Sequence, residues 1–291
     1  MAGSVTELVE LLQLEDLDVD LFRGRQAATS RQRVFGGQVA AQAVAAATRS
    51  VEAGLEMHSM HSYFLRPGDT AVPIIYDVER IRDGRSFVTR RVMARQHGRP
   101  IYFMTANFQV PEDGLDHQDR MPDVPPPEMG VSMTDIARQN SPESLEEWER
   151  EWAALDVRYV GTSSMGLPAD PDHPARAQLW LRTGGPLGDD PVLHLGAFTY
   201  ATDLTLLGAA LTPHGIHINS SRMKAASLDH SIWFHRPFRA DEWWLYDQVS
   251  PSAAGGRGLV LAKVYTQDGT LTASVAQEAL LRRRTPAGGT A

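Results

Sequence analysis

Three polar residues stand in segments that are otherwise apolar, and burying a polar side chain carries a cost that packing alone rarely requires. Asp203 is the only charge in Ala201-Thr202-Asp203-Leu204-Thr205-Leu206-Leu207-Gly208-Ala209-Ala210-Leu211. A carboxylate there can serve as a general base, or it can be the N-cap of the leucine run. In the last apolar segment Leu271, Ala273, Val275, Gln277 and Ala279 share one strand face, while Thr272, Ser274, Ala276, Glu278 and Leu280 share the other. Gln277 is thus a lone amide on the apolar face, placed either for chemistry or to satisfy a buried backbone group. Ser227 opens the stretch Ser227-Leu228-Asp229-His230-Ser231-Ile232-Trp233-Phe234-His235-Arg236-Pro237. A hydroxyl in that position is by itself only a turn or cap residue.

Asp229, His230 and His235 in the same stretch invite a hydrolase triad or a metal site. The chain has neither a Gly-x-Ser-x-Gly elbow nor a His-Glu-x-x-His motif, so strand pairing and structural hydrogen bonds are their expected roles. Gly36-Gly37, near the start of a helical segment, can turn free N–H groups toward an oxyanion or carbonyl, or can allow tight packing. Arg80, Arg82, Arg85, Arg90, Arg91, Arg95 and Arg99 cluster in one stretch. Guanidinium forks suit phosphate, and alternating strands with solvated faces give the same pattern. The absence of Cys removes disulfides, thiolate zinc sites and a cysteine nucleophile.

The elements that position these residues form two similar sets. A short amphipathic helix opens the chain through Leu12, and small residues from Val34 to Ala47 predict a helix wrapped by other structure. Extended segments follow at 61–66, 73–82, 87–96 and 101–110, joined by turns at Asp83-Gly84-Arg85 and His97-Gly98. That is an antiparallel meander, and with the helix it makes an α+β unit whose sheet curls around the helix. Pro111 to Gly130 reads as a linker, and Ser141-Pro142 predicts the start of an acidic, solvent-exposed helix. A strand at 176–182, a second wrapped helix at 200–211, a strand at 227–236 and another at 242–249 then repeat the pattern. Arg66 and Arg236 both precede proline and lie 170 apart, Arg85 and Arg257 lie 172 apart, and Gln96 and Gln267 lie 171 apart. A near-constant separation indicates duplication into two domains. The predicted division is 1–112, a linker and acidic helix at 113–150, 151–285, and a tail at 286–291.

The chain has 291 residues, 42% of them hydrophobic, and a formal net charge of -8. It is long enough for two cores, and its charge disfavours nucleic acid as a partner. The N-terminal segment lacks a basic region, no apolar run is long enough for a membrane span, and cytoplasmic is the expected location.

Phe35-Gly36-Gly37-Gln38, the segment from His58 to Gly68, Leu228-Asp229-His230-Ser231-Ile232-Trp233-Phe234-His235-Arg236-Pro237 and Tyr265-Thr266-Gln267-Asp268-Gly269 together resemble the acyl-CoA thioesterase II family over nearly the whole chain. The resemblance implies a double (tandem) hotdog, each half a long helix wrapped by an antiparallel sheet, and hydrolysis of fatty acyl-CoA without metal or cofactor. Matched by motif, the family's catalytic set falls on Asp203, Ser227 and Gln277, with Ser where several members have Thr. Gly36, Gly37, His58 and Arg85 are the expected substrate-binding or supporting residues. The expected partner is a medium- to long-chain acyl-CoA, and homo-oligomerisation is open. The rival readings are a non-catalytic acyl-CoA-binding module, which would not need the three polar residues together, and an enoyl-CoA hydratase-like hotdog enzyme, which crotonyl-CoA hydration would reveal.

Overall fold

The computed structural model describes residues 1–161, 174–216, 220 and 223–283, so the predicted tail at 286–291 lies outside the described residues. In the first half, helix α1 (Val5–Leu12) and strands β1 (Glu15–Asp18) and β2 (Leu21–Gly24) precede helix α2 (Gly36–Arg49). Strands β3 (Glu56–Phe64), β4 (Ile74–Asp83), β5 (Phe87–Gln96) and β6 (Arg99–Gln109) complete it. A connecting region carries strand β7 (Val131–Ser132) and helices α3 (Met133–Asn140) and α4 (Pro142–Trp152). The second half holds β8 (Leu155–Tyr159), β9 (Arg176–Thr183), α5 (Pro191–Thr205), α6 (Gly208–Leu211), β10 (Met223–Ser227), β11 (Asp229–Phe234), β12 (Trp244–Ala254), β13 (Arg257–Thr266) and β14 (Leu271–Arg283).

All strands join one antiparallel sheet ordered β1-β2-β4-β5-β6-β3-β11-β14-β13-β12-β9-β8-β7, with β10 also on β14. Read outward from β3 and from β11 the first five strands correspond, and β7 extends the second arm, which is the duplication expressed as strand pairing. The halves meet where β3 runs antiparallel to β11 and His61 stands opposite Ser231. Those two residues are 170 apart, the same separation that relates the Arg-Pro motifs, so the pseudo-two-fold relation passes between them. One side of each half-sheet faces the helices. α2 is buried along almost its full length because Ala40, Ala41, Ala43, Ala45, Ala46 and Ala47 fit against α5 and the sheet. Its two glutamines have partners: Gln38 Nε2 donates to the Arg25 carbonyl and Gln26 Oε1, Gln42 Nε2 donates to the Leu11 and Arg25 carbonyls, and Tyr76 donates to Gln42 Oε1.

The second central helix differs from its expected position at 200–211. α5 starts at Pro191, where Asp190 accepts from the Val192 N–H as N-cap and Pro191 needs no donor. It ends at Thr205, and Gly208 starts a separate turn. Asp203 is therefore no N-cap but a buried residue of the last turn of α5. The strand expected over 227–236 is broken at Leu228 into β10 and β11. The turn between β12 and β13 is made by Gly255 and Gly256, both at positive φ.

The acidic helix α4 begins as predicted, with Ser141 Oγ accepting from the Ser144 N–H. It is not wholly solvent-exposed: Trp148 and Glu151 are buried. Glu151 accepts from the N-terminal ammonium and from the Thr29 hydroxyl, so its charge is paired inside rather than solvated. The segment before it lies across the second half, where Trp180 donates to the Pro125 carbonyl and Lys263 pairs with Asp119.

Candidate active site

The structure brings Asp203, Ser227 and Gln277 into direct contact. Asp203 sits in the last turn of α5, Ser227 is the last residue of β10, and Gln277 faces inward from β14. Ser227 Oγ donates to Asp203 Oδ1 at 2.9 Å, and Gln277 Nε2 donates to the same oxygen at 2.6 Å. The break at Leu228 is what delivers Ser227: β10 pairs with β14 one residue out of step with β11, and Asp229 holds the step by accepting from the Glu278 N–H at 2.6 Å.

The first half closes the site. The N–H of Gly37, at the start of α2, acts on the Asp203 carboxylate and pulls its pKa down, which fits a negative group placed where helix N–H dipoles favour it. Both glycines are required by close approach. A Cβ on Gly36 would lie 2.7 Å from Asp203 Oδ2 and 2.8 Å from the Phe64 ring, and one on Gly37 would lie 2.5 Å from the Tyr200 carbonyl. The tight-packing reading of the double glycine is therefore met. The N–H of Gly37 is used by a carboxylate of the protein itself.

Burial pushes the Asp203 carboxyl up to about 6, against the pull of the Gln277, Ser227 and Gly37 donors. It is thus a carboxylate near neutral pH and a stronger base than an exposed aspartate. Gln277 Oε1 is buried with no hydrogen-bond partner, an acceptor beside the carboxylate that is open to a donor. Tyr102 and Tyr246 also feel the Asp203 charge, and burial raises both phenols.

The other expected residues are elsewhere. Asp229 binds backbone, His230 Nε2 meets Thr202 Oγ1 at 3.0 Å and His235 Nε2 meets Ser274 Oγ at 2.9 Å, so no triad forms among them. His58 lies at the β3 bulge with its ring edge-on to Phe87, a side chain on the outer sheet face, and is not among the groups acting on Asp203. Arg85 is exposed in the loop between β4 and β5. Four arginines of its cluster have carboxylate partners: Arg80 with Asp20, Arg91 with Glu79, Arg95 with Asp77, and the buried Arg90 with Asp83. Three of the seven thus form a charge ladder between β4 and β5. Among the described residues no group of three His, Asp or Glu is placed to hold a metal ion.

Sequence reasoning missed Thr202, Ser62, Phe64 and Tyr102: Thr202 precedes Asp203 and meets His230, Ser62 donates to the His230 carbonyl, Phe64 lies against Gly36, and Tyr102 feels the Asp203 charge. The signal that finds one of them is the comparison of residues 170 apart, in which the apolar Ile232 answers Ser62, just as Met60 answers His230.

Comparison with known proteins agrees with this architecture. The acyl-CoA thioesterase family matches residues 171–280 and the acyl-CoA thioesterase N-terminal domain matches residues 25–109. Acyl-CoA thioesterase 2 of Haemophilus influenzae is 40% identical over 97% of this chain and 99% of its own. The crystal structure of the acyl-CoA thioesterase II TesB2 from Mycobacterium marinum is 46% identical, covers 96% of this chain and 99% of that one, and superposes with a TM-score of 0.81. A protein of unknown function with a hot dog fold from Alicyclobacillus acidocaldarius, 19% identical, covers 96% of this chain and 98% of its own with a TM-score of 0.77, a likeness of fold. With two hotdog halves in one sheet and near-full-length relatives on both sides of it, the chain belongs to the acyl-CoA thioesterase II family.

Proposed function

We propose that this thioesterase hydrolyses medium- to long-chain fatty acyl-CoA to free fatty acid and CoA by direct attack of a water held by Asp203, Ser227 and Gln277. The observation that carries the reading is the shared carboxylate. Two side-chain donors converge on Asp203 Oδ1, which fixes the group, while Oδ2 faces the glycine turn of α2. A water there gives one proton to the carboxylate and the other hydrogen bond to Gln277 Oε1, which has no partner in the protein. Asp203 takes the proton as the water oxygen attacks the thioester carbonyl carbon. The tetrahedral intermediate then expels CoA thiolate, which takes the proton back. A thiolate is a good leaving group, so no covalent enzyme intermediate is needed. The developing oxyanion needs donors in place before reaction. The start of α2 supplies them, and because Gly37 gives its N–H to Asp203 this reading assigns the role to Gly36.

Arg85 is an exposed member of the arginine cluster, and the reading assigns it to CoA phosphates by charge and position at a loop. His58 enters only as support, at the bulge that answers Leu228. The domain division at 112, 150 and 285 is kept as part of the same reading. The decisive experiment is release of free thiol from palmitoyl-CoA, followed with a colorimetric thiol reagent, which the absence of Cys keeps free of background. Asp203→Asn should keep the fold and lose most turnover. Full activity in that variant would end the assignment.

A further inference from the structure

At the junction of the halves β3 and β11 place Ser62 opposite His230 on one side of the pseudo-two-fold relation and Met60 opposite Ile232 on the other. All four side chains are buried, with exposures of 1%, 0%, 0% and 0%. The same two strand positions are thus filled once with a polar pair and once with an apolar pair. The fold accepts methionine and isoleucine there, so strand pairing does not require histidine and serine.

The polar pair lies on the side of the site. His230 Nε2 is 3.0 Å from Thr202 Oγ1, and Thr202 precedes Asp203 in α5. The Thr202 hydroxyl gives its single proton to the Thr199 carbonyl, so it accepts from His230, and the network assigns the neutral Nε2–H tautomer. The Thr202 carbonyl, in the last turn of α5 where helical partners run out, accepts from Tyr246. The Ser62 hydroxyl donates to the His230 carbonyl at 2.7 Å. His230 Nδ1 is left as a buried acceptor with no partner, a cost that methionine in the equivalent place avoids.

We propose that His230 is a positioning residue of the hydrolytic site, holding through Thr202 the turn of α5 that presents Asp203 to Ser227 and Gln277. This rests on the reading of Asp203 as the base. Imidazole is rigid and reaches from the sheet to the helix, so one N–H fixes the distance between them at this turn. The polar pair is therefore kept in the half where helix position sets the geometry of chemistry.

The test is His230→Met, which copies the equivalent residue Met60 and so is expected to fold. Turnover of palmitoyl-CoA should fall roughly 10- to 100-fold while KM changes by less than about threefold, the mark of misplaced chemistry rather than lost binding. His230→Gln, which keeps an N–H near the Nε2 position, should recover part of the loss. If His230→Met does not fold, Thr202→Val, which removes the acceptor at constant shape, is read in its place and should show the same split. A folded His230→Met or Thr202→Val enzyme with the parent kcat overturns the proposal, as does a loss that His230→Gln leaves unrelieved. Asp203→Asn assayed beside them separates the two claims. Full turnover there removes the site itself, whereas loss there with parent kcat in His230→Met removes only the role of His230.

Discussion

The two halves use equivalent strand positions for opposite ends. In the second half Ser227, before the bulge, pairs with Ala279, and Gln277 lies two residues earlier in β14. In the first half the residue before the bulge is Met57, paired with Phe108, and Ala106 lies two residues earlier in β6. Met57, Ala106 and Phe108 are all buried. From Gly36 to Thr48 the first central helix has only glutamines and a threonine as polar side chains and no carboxylate, so the first half builds no counterpart of Asp203. It contributes instead the glycine turn at the start of α2. A duplicated scaffold thus carries one site: each half supplies the frame, and only one bears the desolvation cost of a buried carboxylate. A fold that leaves Gln277 Oε1 and His230 Nδ1 unpaired in one half while filling Ala106 and Met60 tightly in the other separates function from packing.

Four changes break or sharpen that contrast. The largest effect is expected for Asp203→Asn, with kcat falling by roughly 10²- to 10⁴-fold in the thiol-release assay, the range for loss of a general base. Next is pH. With the Asp203 carboxyl at about 6, kcat/KM should rise roughly tenfold per unit below that value and level off above it. A flat profile between pH 4 and 6 would show that another group is the base.

Stability gives a third contrast. A carboxyl raised from 3.8 to about 6 by folding holds its proton in the folded state where the unfolded chain has released it. Stability is therefore lost as pH climbs between those values, and the cost is complete above the higher one. Relative to the parent, Asp203→Asn should gain about 1–3 kcal/mol in urea unfolding at pH 8 compared with pH 4. An equal difference at both pH values would refute the linkage. The smallest effect on activity belongs to the silent half. Ala106→Gln places an amide where no carboxylate meets it and should cost about 1–3 kcal/mol of stability while leaving kcat within about twofold. A large drop in kcat there would show that the first half takes part in the chemistry beyond its glycine turn.

Much of this was legible in the chain. The turn signals, strand alternation and fixed separation of the Arg-Pro motifs give the duplicated α+β architecture, because short-range periodicity is written in neighbouring residues. The inward face of Gln277 follows from the same alternation, and the acyl-CoA thioesterase II resemblance rests on motifs in linear order. Asp203 was visible as a lone charge, but the helix around it was placed about nine residues late. The Asp190-Pro191 pair, cap and first helical residue, marks where the helix begins.

What the sequence by itself determined is the repeat, the strand faces and the identity of the polar residues, since each depends on local periodicity and residue type. Only the tertiary structure decided that the glycine turn at the start of α2 in one half abuts the carboxylate of the other. It also decided that the bulge at Leu228 turns Ser227 onto that carboxylate, that Glu151 is buried against the chain's own ammonium, and that four of the seven clustered arginines are spent on ion pairs. Those contacts join residues from about 10 to more than 160 positions apart, and burial, which sets both the pairing of a charge and the basicity of Asp203, exists only once the two halves have closed on each other.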